Sequence, residues 1–100
     1  MLFRSVVKVN GLQCSLFLVE KVAETKILMG ECVAVPRKLR GIDFIELYHT
    51  KPFIQSKNEL KNMFKEHLPK HMIPSKFTFI ESIKRNGLGK KVRHAYTTNI

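Results

Sequence analysis

The first pattern along the chain is a pair of short apolar runs separated by Asn10-Gly11. Residues 6–9 are mostly β-branched, and residues 12–14 continue the apolar character after the pair. Both central positions of a two-residue hairpin turn need a positive φ, which Asn and Gly tolerate. The pattern therefore predicts a β-hairpin over about residues 5–14.

A helical rhythm follows Ser15, whose hydroxyl can accept a hydrogen bond from the first turn of a helix. The apolar positions of this helix are Leu16, Val19, Val22 and Ala23, and the polar positions expected to face solvent are Glu20, Lys21 and Glu24. We expect the helix to end near Lys26 and to pack its apolar face on a sheet.

A second helix is predicted from residue 56, where Ser56-Lys57-Asn58-Glu59 has the form of a capping box. Its apolar face holds Leu60, Met63, Phe64 and Leu68, and Pro69 should end it. His67 falls on that face and should be partly buried. His67 and His71 have a metal-ligand spacing, but Pro69 separates them and Leu68 replaces the glutamate of HExxH. No metal site is expected.

Three further runs predict strands. The first leads from residue 27 to Val35, and Pro36 should end it because proline has no N–H for a ladder. A basic turn over residues 37–41 then leads to a strand over residues 42–49, which we expect to pair antiparallel with the first. The third run covers residues 76–80.

This order of elements predicts a single α+β domain over residues 1–100. An N-terminal β-hairpin precedes a small, roughly three-stranded sheet flanked by two helices, with a Gly/Lys loop near the C-terminus. The two cysteines, Cys14 and Cys32, are too few for a disulfide scaffold and should be buried. No apolar run approaches the ~20 residues of a membrane span. The N-terminus lacks the pattern of a signal peptide, so we expect a cytoplasmic protein.

The charge is strongly basic, with a net value of +10. Such a charge indicates an anionic partner without identifying it. Residues 85–93, R-N-G-L-G-K-K-V-R, place four cations and two glycines together. A basic tail of this kind is often only solvated, or binds polyanions without specificity. Its spacing and its place after the third strand make it the candidate for a specific site.

Three segments resemble, in order, the motifs of one enzyme family. They are V-K-V-N-G-L-Q with F-L-V-E (residues 7–20), C-V-A-V-P with R-G (residues 32–41), and L-P-K-H-M-I-P with R-N-G-L-G-K-K-V-R (residues 68–93). Together they resemble the C-terminal lid subdomain of the AMP-forming acyl-CoA synthetases. The resemblance covers nearly the whole chain. It implies the α+β fold predicted above and an enzyme fragment that lacks the large nucleotide-binding domain.

The resemblance implies a reaction in two steps. ATP and Mg²⁺, held mainly by the missing large domain, convert a carboxylate to an acyl-adenylate, and CoA or a carrier protein then takes the acyl group. We expect a long-chain fatty acid or a related carboxylate as substrate. Lys90 corresponds to the catalytic lysine, and Gly89, Arg85 and Arg93 would support the phosphate loop. Lys8, Asn10 and Gly11 would lie on the CoA and thiol-tunnel side.

The chain also departs from the family pattern. Gln13 and Arg37 replace an arginine and an aspartate, His71 replaces a tyrosine, and Lys84 replaces a proline. Arg4-Ser5 stands where an acidic hinge residue is usual. The chain alone should be inactive, and its implied partner is the large N-terminal domain, in the same or a separate polypeptide. Two alternatives are a basic module that binds nucleic acid, supported by charge alone, and a free-standing domain that binds a partner protein.

Overall fold

The computed structural model describes residues 6–83, and the basic stretch 85–93 lies outside them. Strands β1 (Val6–Val9) and β2 (Leu12–Ser15) pair antiparallel as a two-stranded sheet. At the turn between them Asn10 has φ 52° and Gly11 has φ 85°. The predicted hairpin and its turn chemistry are therefore confirmed.

Helix α1 (Leu16–Val22) begins at Ser15, whose Oγ accepts a hydrogen bond from the backbone N–H of Leu18 at 3.2 Å. A π-helical segment, Ala23–Ile27, continues α1 and ends at Leu28, which is left-handed with φ 65°. The helical region thus ends within two residues of the predicted end.

The second sheet has three strands in the order β3 (Cys32–Leu39), β4 (Ile42–His49) and β5 (Lys76–Phe79). β3 and β4 are antiparallel, as predicted, and β5 runs parallel to β4. The crossover from β4 to β5 carries helix α2 (Lys57–Lys65) and a short 3₁₀ turn, Lys70–Met72. The predicted α+β class is confirmed, with the hairpin, the three-stranded sheet and both helices in place.

The main core lies between the two helices, the hairpin and one face of the three-stranded sheet. Its fully buried side chains include Leu16, Val19, Met29, Ile45, Leu47, Leu60 and Phe64. The opposite face of the sheet forms a smaller cluster, in which Ile83 covers Val33 and Val35. Burial on both faces explains why the middle of β3 reads as an unbroken apolar run.

Strand β3 corrects two predictions. Pro36 does not end the strand, because β3 continues to Leu39 and Pro36 pairs with Ile45 of β4. Glu20 was expected in solvent but is 5% exposed, and its Oε2 accepts the N–H of Ala34 at 2.8 Å. Glu24 accepts the N–H of Cys32 at 2.8 Å.

These two bonds show which way the backbone of β3 points. The N–H groups of residues 32 and 34 face helix α1 rather than β4, so the nitrogen of residue 36 faces the same side by alternation. A proline there removes no bond from the ladder. The carboxylates of Glu20 in α1 and Glu24 in the π-helical segment occupy donors that an edge strand would otherwise expose.

The end of α2 corrects a third prediction. The capping box is present, with Ser56 Oγ accepting from the N–H of Glu59 at 3.2 Å and the Glu59 carboxylate accepting from the N–H of Ser56 at 2.9 Å. The helix, however, ends at Lys65, four residues before Pro69. His67 lies beyond it and is exposed rather than partly buried.

Both cysteines are free and buried, as predicted. Burial raises the pKa of the Cys14 thiol to about 11, so this group stays protonated and unreactive at neutral pH. No helix in residues 6–83 is long and apolar enough to cross a bilayer.

Candidate functional site

The turn of the first hairpin is fastened to the second hairpin. The backbone N–H of Asn10 donates to Asp43 Oδ2 at 2.9 Å, and the Asn10 amide donates to the carbonyl of Asp43 at 3.3 Å. In return the N–H of Asp43 donates to Asn10 Oδ1 at 3.3 Å. We call this three-bond contact the Asn10–Asp43 clasp. It holds the turn in one place on the sheet, although the two residues are 33 positions apart.

The structure leaves the neighbouring candidate residues open to a partner. Gly11 is exposed, and a Cβ added there would meet no atom within 4 Å. Lys8 is also exposed, one strand position from the turn. Glycine is required at residue 11 by its positive φ, while the open space beside it is where a ligand could approach the backbone.

An open groove of about 430 Å³ lies beside the turn, and we call it the turn groove. It is lined by Val9, Asn10, Leu12, Asp43, Phe44, Ile45, Lys70, His71, Ile73 and Ser75. His71 is fixed at its rim, because its Nε2 lies 2.6 Å from the carbonyl oxygen of Gln13. His71 and Gln13, two departures from the family pattern, therefore contact each other and join β2 to the 3₁₀ turn.

The clasp should contribute measurably to stability. We expect Asn10→Gly, which keeps a residue that tolerates positive φ, to lower the free energy of unfolding by about 1–2 kcal/mol, because it removes two of the three bonds of the clasp. Urea denaturation checks this. Asp43→Ala, which removes the acceptor of the Asn10 N–H, should also be destabilising. An Asn10→Gly variant as stable as wild type would contradict this role of the clasp.

His49 is the one buried histidine of the described residues, with 1% exposure. Its Nδ1 lies 3.0 Å from the carbonyl of Lys51, and its ring packs against Phe53 and Phe79 at centroid distances of 5.0 and 5.9 Å. Its Nε2 has no hydrogen-bond partner. Burial lowers the pKa of His49 below its ordinary 6.5, and the bond to Lys51 only partly opposes this. The ring is thus held neutral in the core.

His49 should make stability depend on pH. Below about pH 6.5 the unfolded chain binds a proton that the folded chain resists, so the free energy of unfolding should fall as pH falls, by at most about 1.4 kcal/mol per pH unit. His49→Gln, which can still donate to the Lys51 carbonyl, should flatten this slope between pH 7 and 5. His67→Gln at an exposed position should leave it intact. An unchanged slope in His49→Gln would contradict the assignment.

The remaining predicted site residues, Arg85, Gly89, Lys90 and Arg93, lie outside the described residues. The last described segment packs firmly: the N–H of Ile80 donates to the carbonyl of His49 at 2.9 Å, and Ile83 is 6% exposed. Of the predicted site residues, the structure places Asn10 and Gly11 at the hairpin turn with Lys8 nearby. It adds Asp43 and Lys70, which line the turn groove, to the candidate site. Sequence reasoning missed these two because only the tertiary fold places them beside the turn.

Residues 6–83 contain no cluster of three His, Cys, Asp or Glu side chains that could hold a metal ion.

No family model matches the chain, and no curated protein matches it. Solved structures do match. o-Succinylbenzoate CoA synthetase from Bacillus subtilis, in complex with its acyl-adenylate intermediate, superposes with a TM-score of 0.83 at 21% identity, over 97% of this chain and 20% of that one. A variant of the amide bond synthetase McbA from Marinactinospora thermotolerans gives 0.82 at 14% identity, over 94% and 20%.

A third structure, NpsA from Klebsiella oxytoca in complex with 3-hydroxyanthranilyl-AMSN, gives a TM-score of 0.76 at 20% identity, over 94% of this chain and 19% of that one. The chain has the fold of the C-terminal subdomain of the adenylate-forming synthetases. The chain spans about one fifth of the length of each of these neighbours. The Asn10–Asp43 clasp and the turn groove are features of this fold in residues 6–83.

Proposed function

We propose that the chain is the C-terminal lid of an AMP-forming acyl-CoA synthetase. The observation that carries the proposal is the superposition of 97% of the chain on one fifth of a synthetase in complex with its acyl-adenylate intermediate. The order of the three sequence motifs supports the same assignment. A separate large domain would bind ATP and Mg²⁺ and form most of the active site.

In this proposal Lys90 acts in the adenylation step. Attack of the carboxylate on the α-phosphorus of ATP gathers negative charge on the phosphoryl oxygens. An ammonium group delivered into a closed site stabilises that charge and needs no proton transfer. Gly89 would let the backbone come close to the nucleotide, and Arg85 and Arg93 would hold the loop against phosphate oxygens.

Lys8, Asn10 and Gly11 would act in the thioester step. The clasp fixes the turn, and the open space beside Gly11 would admit the thiol arm of CoA or of a carrier protein. Lys8, exposed on the same hairpin, would face the acceptor. The two half-reactions would thus use opposite ends of the chain, consistent with a lid that rotates between them.

The substrate is a carboxylate whose pocket belongs to the large domain. Two of the neighbours are in complex with the acyl-adenylate intermediate OSB-AMP and with 3-hydroxyanthranilyl-AMSN. Aryl carboxylates therefore belong beside long-chain fatty acids in any substrate screen.

A chimera tests the proposal. Residues 1–100 replace the matching fifth of the B. subtilis o-succinylbenzoate CoA synthetase, and acyl-adenylate formation is followed by pyrophosphate release. The chimera should form the adenylate faster than the synthetase truncated before its C-terminal subdomain, and residues 1–100 alone should form none. A folded chimera no faster than the truncated enzyme would contradict the proposal, as would adenylate formed by the isolated chain.

A further inference from the structure

The turn of the first hairpin holds a chemically reactive pair of residues, Asn10 and Gly11. In an Asn-Gly sequence the backbone nitrogen of the glycine can attack the side-chain amide carbon of the asparagine, because glycine has no side chain that would hinder the approach. Both residues are exposed. A Cβ added at Gly11 would meet no atom within 4 Å, so the outer side of the turn is uncrowded. Water and hydroxide therefore reach the pair.

The reaction of such a pair is a deamidation. The Gly11 nitrogen loses its proton to hydroxide and forms a bond to Cγ of Asn10, while the Cγ–Nδ2 bond breaks and the nitrogen leaves as ammonia. The product is a cyclic imide. Water then opens the imide at either of its two carbonyl carbons. Opening at Cγ gives aspartate, and opening at the backbone carbonyl carbon gives isoaspartate, in which the chain runs through the side chain. No other reactant is needed.

The Asn10–Asp43 clasp opposes this reaction. The Asn10 Nδ2 donates to the carbonyl of Asp43 at 3.3 Å, and the Asn10 Oδ1 accepts from the N–H of Asp43 at 3.3 Å. The backbone N–H of Asn10 donates to Asp43 Oδ2 at 2.9 Å. Both polar atoms of the amide are thus held by a residue of the second hairpin, and the amide must leave Asp43 before it can turn to the Gly11 nitrogen. The reaction then proceeds from the fraction of molecules in which the clasp is open.

The product of the reaction cannot restore the clasp. A carboxylate only accepts hydrogen bonds, so residue 10 would have no side-chain donor for the carbonyl of Asp43. The new negative charge would also lie on the residue whose N–H binds the Asp43 carboxylate, and like charges repel each other. Lys38 Nζ, 3.6 Å from Asp43 Oδ1, is largely exposed and offsets only part of this repulsion. Isoaspartate would in addition lengthen the backbone of the turn.

We propose that Asn10 is a site of spontaneous modification and that the clasp controls its rate. The closed clasp slows the conversion of Asn10 to aspartate and isoaspartate, and the conversion opens the clasp permanently. This inference goes beyond the proposed function and does not depend on it, since it uses only contacts of the hairpin turn with Asp43.

Peptide mapping by mass spectrometry tests the first half of the inference. Residues 1–100 are incubated at about pH 8 with and without urea, and the conversion at Asn10 is followed. A second Asn-Gly pair, Asn86-Gly87, supplies the reference in urea, where both pairs should react at similar rates. Without urea Asn10 should react about 5- to 30-fold more slowly than in urea, since a few hydrogen bonds shift an opening equilibrium by about that ratio. Equal rates at Asn10 with and without urea would overturn the proposal.

Two variants of Asp43 separate the hydrogen bond from the charge. Asp43→Ala and Asp43→Asn both remove the negative charge, but only alanine removes the acceptor of the Asn10 N–H. Asp43→Ala should speed the conversion in the folded chain by about threefold or more, while Asp43→Asn should stay closer to wild type, and the rates in urea should not change. Equal acceleration in both variants would show that the charge of Asp43 sets the rate, and no acceleration in either would show that the clasp gives no protection. Each result would overturn the proposal.

Asn10→Asp tests the second half, because it carries one of the two products from the start. Its urea midpoint should be lower than that of wild type, and wild type aged at about pH 8 should develop a fraction that unfolds at the same lower urea concentration. If Asn10→Asp were as stable as wild type, the clasp would survive the conversion and the permanent opening would be refuted.

Discussion

Replacing Lys90 with alanine in the chimera should lower acyl-adenylate formation by about 100- to 1,000-fold. The reason is electrostatic. One preorganised cation that faces developing negative charge in a water-excluded site lowers the activation free energy by about as much as one oxyanion-hole donor. The rate is measured by pyrophosphate release. The same variant, supplied with preformed acyl-adenylate and CoA, should form thioester at close to the unsubstituted rate, because the phosphoryl chemistry is already complete.

Lys91→Ala provides the matched control for Lys90. It removes the same charge one position away, at a position that the motif leaves variable. A drop in adenylation as large as that of Lys90→Ala would show that the basic stretch acts through net charge. An equal loss in both half-reactions of Lys90→Ala would show that the residue holds the lid together and has no specific part in adenylation.

Signals confined to a few neighbouring residues predicted structure well. The Asn10-Gly11 turn and the capping box at Ser56 and Glu59 are both present, because each depends on φ angles or hydrogen bonds within four residues. The helical spacing after Ser15 and after Ser56 also placed both helices correctly. The order of elements, and from it the α+β class, follows from these local features.

The predictions for Pro36, Glu20 and His67 were wrong, and the first two depended on tertiary neighbours. Pro36 was predicted to end its strand because the neighbouring residues do not show that β3 is an edge strand of the three-stranded sheet. Nor do they show that the nitrogen of residue 36 faces α1. Glu20 looked solvent-exposed for the same reason, since its partner, the N–H of Ala34, lies 14 residues away. His67 was misplaced because α2 ends before the proline that was expected to end it.

Some residues of the candidate site could likewise be predicted from the sequence, and others could not. Asn10 and Gly11 could be chosen from sequence because the turn itself requires them. Asp43, which fixes the turn, and Lys70, which lines the turn groove, come from distant elements that only the folded chain brings together. The role of Lys90 rests on its motif and stays a prediction.

Removing the carboxylate of Glu46 should cause a large loss of stability. Glu46 is 5% exposed, on the face of the sheet opposite the main core. Its Oε1 accepts from Arg37 Nε at 2.9 Å and its Oε2 accepts from Thr78 Oγ1 at 2.6 Å, so it joins β3, β4 and β5. Arg37 also donates to the hydroxyl of Tyr48 at 2.7 Å. The arginine that departs from the family pattern is therefore part of a partly buried ion pair.

Burial raises the pKa of Glu46, but the hydrogen bonds from Thr78 and Arg37, together with the charges of Lys76 and Arg37, outweigh it and hold the pKa below its ordinary 4.5. The unfolded chain therefore takes up this proton first as pH falls. The contribution of Glu46 to stability is fully present above about pH 4.5 and is lost as pH falls through the lower, folded value.

Glu46→Ala should lower the free energy of unfolding at pH 7 by about 3–5 kcal/mol, because it leaves the Arg37 guanidinium facing a partly buried cavity without its carboxylate. Urea denaturation at pH 7 and at pH 4 measures the loss, which should shrink at the lower pH. The double variant Arg37→Leu with Glu46→Leu should regain most of the stability, since a buried ion pair exchanged for apolar side chains is often neutral. A double variant as unstable as Glu46→Ala would show that the packing around residue 46, rather than an uncompensated charge, sets the loss.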